Sequence, residues 1–433
     1  MTPLATRLST RMHPAWIAAA LTFLVLLVAA GIRATPGVLI LPLADAFGWT
    51  PATISTAIAV NILLYGLTGP FAAALIQRYG LRRTVLSALS LLLVAVSLST
   101  FMAAPWQLLA TWGVLVGLGT GSTAIVLGAT VVNRFFAQRR GLILGALTAS
   151  TATGQLLFLP LLAGIAEHDG WRPVTLVVAV GIVLVMIPFA LLMPERPSSV
   201  GARPYGAVTD EPPSAATGNP FVTAVQALAS AARTRQFWVL FASFFVCGLS
   251  TNGLVGTHLI PFAHDHGLTQ VRAAGLLAMM GVLDLIGTTA SGWLSDRYSS
   301  RKLLFWYYGL RGLALVYLAY AGFAMPGLWI FVAFYGLDWI ATVPPTVRLT
   351  NEAVGPQAAP VVFGWILTGH QLGASVAAYG AGWLRTELGT YSPAFLTAGL
   401  FCVAAAFLVL TPARSSPMTH TPASGSAPAR AKR

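Results

Sequence analysis

Long apolar stretches alternate with short polar ones along the whole chain. A spanning helix needs roughly 20 mostly apolar residues. Twelve runs meet that length, at about 15–43, 52–76, 84–103, 106–132, 141–164, 172–193, 236–262, 271–294, 303–323, 327–347, 358–383 and 392–411. They are too long for β-barrel strands and do not alternate in polarity. The pattern predicts an all-α polytopic membrane protein with twelve transmembrane helices. The longest polar interval, 194–234, contains PERPSSVGARPYGAVTDEPPSAATGNP. That composition reads as a flexible cytoplasmic linker, with a short amphipathic helix in NPFVTAVQALASAAR. It divides an N-terminal six-helix half (1–193) from a C-terminal half (235–411), and 412–433 reads as a flexible basic cytoplasmic tail.

The two halves are related. Displaced by 219 residues, they align without a gap: Gly37 meets Gly256, Pro42 meets Pro261, Gly48 meets Gly267 and Thr50 meets Thr269. Further on, Arg78 meets Arg297, Tyr79 meets Tyr298, Arg82 meets Arg301, Gly145 meets Gly364 and Gly154 meets Gly373. A duplicated six-helix half implies a pseudo-twofold axis along the membrane normal and a site between the halves that opens to either side as they rock.

Composition and charge sharpen this picture. Of 433 residues, 56% are hydrophobic and 9% charged, against about 25% charged in soluble domains; mean hydropathy is +0.76. The net charge of +13 raises the question of nucleic acid, but its placement answers it. With both termini in the cytoplasm, twenty of the 25 Lys and Arg fall inside. Three (Arg172, Arg272, Arg385) fall outside, and two (Arg33, Arg311) lie within spans. The positive-inside rule therefore predicts cytoplasmic N- and C-termini. The tail PARAKR suits acidic lipid or solvent, not a nucleic-acid arm. The N-terminal run is too long for a signal peptide and reads as an uncleaved first helix. Two lone cysteines, Cys247 and Cys402, make no disulfide or metal framework.

After span 8 the chain reads GWLSDRYSSRK, with Gly292, Asp296, Arg297 and Arg301 in sequence. This resembles the signature loop of the major facilitator superfamily. The first-half copy, ALIQRYGLRR, keeps Arg78, Gly80, Arg82 and Arg83 but has Ala73 and Gln77 where the family has Gly and Asp. On that reading Asp296 is the only acid of the inner latch, and the second half holds more of the gate. Within the superfamily the chain is similar to the monocarboxylate transporter and oxalate–formate antiporter branch. Three features carry this: LADAFGWTPATIS entering span 2, the intramembrane Asp284 in GVLDLIGTTASGWLSD, and DGWRPVTL in loop 5–6. Two positions depart. Thr288 stands where the animal carriers place an Arg one turn after the Asp, and the span 1 cation is Arg33, several residues before their Lys. The resemblance implies a major facilitator fold, a cavity lined by spans 1, 7 and 10, and a peripheral position for span 9.

Ionisable residues inside a membrane are expensive and are functional hypotheses by default. An Arg at mid-membrane costs about 2.5–3.5 kcal/mol on insertion scales and does not deprotonate. Arg33, whose repeat partner is Asn252, is accordingly a candidate to meet a substrate carboxylate through its guanidinium fork. The competing reading is a snorkelling or helix-bracing Arg near Pro36. Arg311, roughly 13 Å in from the cytoplasmic loop at about 1.5 Å per residue, has Asp284 and Asp338 at comparable depths. A buried Arg–Asp pair or triad follows, either structural or gated by protonation, with Asp338 the better proton candidate and Asp284 second. His370 is a further proton candidate. Asn61, Tyr65, Gln155, Tyr335, Trp339 and Gln371 are candidates for cavity polarity and stacking.

Other patterns read as structure. GVLVGLGTGS in span 4 lacks the Lys and the preceding strand of a phosphate loop and suits close helix packing. Pro344–Pro345 is expected to break or end span 10. His264, Asp265 and His266 read as a solvated loop before a metal cluster. The chain shows no ATPase or hydrolase motif, no cofactor signature and no sign of an enzyme. The sequence thus predicts a monomeric, multi-pass inner-membrane transporter of a small organic anion, probed first as a monocarboxylate. It would be driven by protons or by anion exchange. A drug or metabolite exporter is the alternative, disfavoured by the missing Gly–Pro pair in span 5; a non-transporting membrane sensor ranks below both.

Overall fold

The computed structural model describes residues 12–123, 125–207, 219–320 and 325–411; linker residues 208–218 and the basic tail 412–433 lie outside them. Among the described residues, twelve helices are long and apolar enough to cross a membrane. Spans 1–6 are Pro14–Phe47, Pro51–Gly69, Leu81–Ser99, Pro105–Phe135, Leu142–Asp169 and Trp171–Leu192. Spans 7–12 are Arg235–Asp265, Gln270–Ser295, Ser300–Tyr320, Pro326–Gly355, Ala358–Leu388 and Ser392–Val409.

The 219-residue repeat is visible in the chemistry of the helix ends. Thr50 and Thr269 each accept a hydrogen bond at the start of spans 2 and 8, from Thr53 N (3.2 Å) and Arg272 N (3.3 Å). Such caps satisfy amides that a helix leaves unpaired. Gly48 (φ 67°) and Gly267 (φ 84°) turn the chain just before these caps. Their left-handed backbone is costly for any residue with a Cβ. At the other end of the bundle Arg82 donates to the Ala190 carbonyl and its counterpart Arg301 to the Val409 carbonyl, 3.3 Å away. Arg301 also bonds Thr411 O (2.7 Å) and Gln236 Oε1 (2.7 Å), tying spans 9, 12 and 7 together.

Among the described residues, three spans depart from regular α-helix. Span 4 is π-helical over Leu109–Leu115, and span 7 over Leu249–Val255. Span 10 loses helical form after Asp338 and resumes at Val343. The interruption therefore precedes Pro344–Pro345; these prolines sit in the first turn of the new helix, where a missing N–H costs nothing. Span 1, by contrast, runs unbroken through Pro36 and Pro42.

The halves meet through spans 1 and 7, 2 and 11, and 5 and 8. At the end carrying the loop between spans 1 and 2, Thr386 Oγ1 accepts from Ala52 N (3.1 Å) and Glu167 Oε2 from Val271 N (3.3 Å). Gly37 lets spans 1 and 7 touch, since a Cβ there would sit 3.1 Å from the Thr257 carbonyl. At the opposite end the linker helix Pro220–Ala231 bridges the halves. Phe221 stacks on Phe71 (5.3 Å), in the part of the span 2 helix that continues to Tyr79, and Trp365 Nε1 of span 11 donates to Ala224 O (2.9 Å). The start of the linker is also held. Tyr205 exchanges backbone bonds with Phe135 and Ala137 and packs edge-on against Trp16.

Candidate functional site

A cavity lies between the halves at mid-height. Arg33, Pro36 and Gly37 of span 1, Asn61 and Tyr65 of span 2, and Gln155 of span 5 form one wall. Asn252, Gly256 and Thr257 of span 7, Trp339 of span 10 and Gln371 of span 11 form the other. The repeat is legible here too: Arg33 faces the cavity as Asn252 does, and Gly37 as Gly256. Asn252 reaches it from the π-helical turn of span 7, a deformation that recurs at functional sites because it redirects side chains. Asn61 is fixed by donating to Trp112 O (2.6 Å), on the π-helical turn of span 4.

Arg33 is the cavity's cation. Its guanidinium carbon lies 4.7 Å from the centre of the Tyr65 ring, and Nη1 is 3.4 Å from the Tyr65 hydroxyl. Among the described residues no carboxylate lies within ion-pair distance of it. The ring face offers partial compensation, and the fork keeps donors to spare. Tyr335 is not part of this wall. It is fully buried, stacks on Phe331 and donates its hydroxyl to Ser250 O (2.7 Å), because it points along span 10 into span 7. His370, one residue before cavity-lining Gln371, faces the other way. It packs on Phe244, with Nε2 3.4 Å from Thr251 Oγ1 and Nδ1 without a partner.

The buried charges of the second half form a pair with a separate acid, not a triad. Arg311 Nε donates to Asp338 Oδ2 (2.6 Å), and Nη1 to Cys247 Sγ (3.0 Å). Its Nη2 donates to the Asp338 and Trp339 carbonyls at the interruption of span 10, where the Asp338 carbonyl also accepts from Ala341 N (3.3 Å). Among the described residues Asp284 makes no such ion pair. Its Oδ1 accepts from Ile340 N (2.8 Å) and from Thr288 Oγ1 (2.9 Å). Ser291 Oγ donates to Ala341 O. Non-helical backbone at membrane depth must have its polar groups satisfied by protein. Here Arg311, Asp284 and Ser291, from spans 8 and 9, do that for residues 338–341. Trp339 is inside that interruption and on the cavity wall, so the charges and the cavity share one piece of backbone. Asp338 keeps one oxygen, Oδ1, buried and without a partner.

At the end carrying the repeated loops, Asp296 is not the only acid. Glu195, just past span 6, accepts from Leu81 N (2.6 Å) and Arg82 N (2.9 Å) and pairs with Arg134 (3.1 Å). It does so beside Gly80 (φ 93°), where a Cβ would come within 3.0 Å of the Glu195 carboxylate. Sequence reading missed it because 114 residues separate Glu195 from Leu81; its one signal is an acid directly after a span. Asp296 is exposed and 4.0 Å from Arg348, which itself bonds Ser295 O. Arg297 lies over Trp293 (4.0 Å) and Arg78 over Tyr79 (5.4 Å). Arg83 is exposed, and Gly292 has open space about it. Asp265 is held by Arg385 through two bonds, 2.8 and 3.1 Å. No group of His, Cys, Asp or Glu among the described residues is arranged to hold a metal ion.

Comparison with known proteins fits this architecture. Residues 21–378 match the family model described as the Major Facilitator Superfamily. The chain is 24% identical over 352 residues to the uncharacterized MFS-type transporter YcxA of Bacillus subtilis, covering 79% of this chain and 81% of that one. It is 26% identical over 385 residues to monocarboxylate transporter 13 of Bos taurus, covering 88% and 85%. Among solved structures it resembles a bacterial homolog of the human lysosomal transporter Spinster, inward-facing and occupied. There the TM-score is 0.73 at 15% identity, with 90% and 95% of the chains covered.

Proposed function

The chain belongs to the Major Facilitator Superfamily, a superfamily of multi-pass membrane transporters, and on that footing we propose that it is a secondary active transporter of a small organic anion, a monocarboxylate. The observation that carries this reading is Arg33: a permanent cation on the cavity wall, with a Tyr ring and hydroxyl for company and, among the described residues, no carboxylate beside it. A substrate carboxylate supplies the missing charge and matches the guanidinium fork in two parallel hydrogen bonds. Asn61, Tyr65, Asn252, Gln155 and Gln371 add neutral donors and acceptors, and Trp339 a flat apolar wall. Similarity to monocarboxylate transporters supports the same substrate class.

Transport would run by alternating access. The halves rock about the cavity, with the Gly37–Thr257 contact and the bonds at Ala52 and Val271 closing one side. At the other side the linker helix spans the halves through Phe71 and Trp365, while Glu195 and the Asp296–Arg348 pair brace the loops within each half. Asp338, paired with Arg311 and holding a free buried oxygen, is the proposed coupling site for a proton; anion exchange needs no such site. The charge asymmetry of the loops supports termini in the cytoplasm and residence in the inner membrane, and the chain is proposed to act as a monomer. Counterflow uptake in proteoliposomes, with a panel of labelled small carboxylates, tests the reading. Exchange by the wild type and its loss in a folded Arg33→Gln variant are expected. A wild type that moves none of the panel would overturn it.

A further inference from the structure

Two acids lie deep in the second half, and the structure treats them differently. Asp338 Oδ2 meets a guanidinium, and its Oδ1 is buried without a hydrogen-bond partner. Asp284 is also buried, yet its Oδ1 is occupied twice, by the Ile340 amide and the Thr288 hydroxyl. The Ile340 amide is an orphan of the span 10 interruption. Trp339, its neighbour in the chain, lines the cavity. Asp284 does not line it. Its reach to the site runs through one amide and one residue of backbone.

We propose that Asp284 is a positioning residue: by accepting the Ile340 amide it fixes the interruption of span 10 that presents Trp339 to the cavity, and it does not carry the coupled proton. This inference rests on the transport reading given above. The groups around Asp284 are consistent with a fixed acceptor. Span 9 contributes Arg311, which is turned to Asp338 and the carbonyls of 338 and 339, and Tyr307, which is directed at Ser291. Span 10 contributes Asp338, itself held by Arg311. Thr288, one turn on along span 8, holds the carboxyl in place. A carbonyl oxygen fills this role in place of a carboxylate, with a weaker bond, since an N–H needs an acceptor and not a charge. A proton carrier has the opposite requirement: it must titrate.

The test compares Asp284→Asn, which keeps a carbonyl oxygen and cannot titrate, with Asp284→Ala, which removes the acceptor. Both are reconstituted and assayed with the carboxylate that the wild type exchanges. Asp284→Asn is expected to keep the KM within about threefold and to keep the acceleration by an inward proton gradient. Asp284→Ala is expected to raise KM by about tenfold or more, with a smaller fall in kcat, as a displaced binding wall predicts. Hydrogen exchange of the segment 339–343 needs no substrate and judges the positioning separately. It should quicken in Asp284→Ala and stay near wild type in Asp284→Asn. Loss of the proton response in Asp284→Asn overturns the proposal, as does an unchanged KM or unchanged exchange in Asp284→Ala. Should Asp284→Ala not fold, the pH response of Asp284→Asn decides. If the wild type moves no carboxylate, the substrate reading fails, while hydrogen exchange still shows whether Asp284 holds the interruption.

Discussion

Arg311 Nε lies 2.6 Å from Asp338 Oδ2, with the Arg side chain fully buried and the Asp side chain 9% exposed. The same guanidinium reaches the carbonyls of Asp338 and Trp339. One side chain therefore neutralises an acid and ends a helix segment at once. Removing one partner of such a pair leaves the other charge uncompensated, at about 3–5 kcal/mol. Arg311→Leu should lower thermal stability in detergent by that order. Arg311→Leu with Asp338→Leu should recover part of the loss, because no charge is stranded. Melting curves of the three proteins check this; a double variant no more stable than Arg311→Leu would point to the carbonyl bonds as the larger contribution.

Asp338→Asn separates coupling from exchange. The amide keeps the shape of the carboxyl but takes up no proton. Net uptake by this variant should no longer accelerate when the outside is made more acidic than the inside, while counterflow at equal pH continues. Continued acceleration would place the coupling proton elsewhere.

Arg33→Lys should be intermediate between wild type and Arg33→Gln. A lysine keeps the charge but replaces the planar fork by a point donor. A carboxylate bound in bidentate fashion should lose about tenfold in affinity on that change, a difference of about 1.4 kcal/mol. The comparison of KM across the three proteins reads it directly.

Glu195→Ala removes the acceptor of the Leu81 and Arg82 amides and leaves Arg134 without its acid. Loss of a cap costs about 0.5–2 kcal/mol. The melting temperature should fall, and Glu195→Gln should restore the amide bonds but not the ion pair. Equal stability of Glu195→Ala and wild type would show that solvent replaces the cap.

Much of this architecture is written locally. Twelve apolar runs become twelve spans because a backbone in lipid must bond within its own segment, which makes length and hydropathy sufficient evidence. The repeat is legible because Gly48 with Gly267, and Thr50 with Thr269, are demanded by turn geometry and capping, both properties of a few neighbouring residues. Arg33 stood out because a guanidinium in an apolar run has no local explanation.

What lay beyond the sequence is the partner of each charge. Periodicity marked Asp284, Arg311 and Asp338 as unusual but not that Arg311 would choose Asp338 and leave Asp284 to an amide 56 residues away. It set the prolines at 344 and 345 as the expected break, whereas the helix stops earlier, where side chains of spans 8 and 9 satisfy the freed backbone. It set Tyr335 among the cavity residues, yet the rotation of span 10 turns that ring toward span 7. Helices follow from the sequence by itself, because their hydrogen bonds are local. Which charge meets which, and which face meets the cavity, was decided only by the tertiary structure, because those energies depend on distances between segments that the order of residues does not contain.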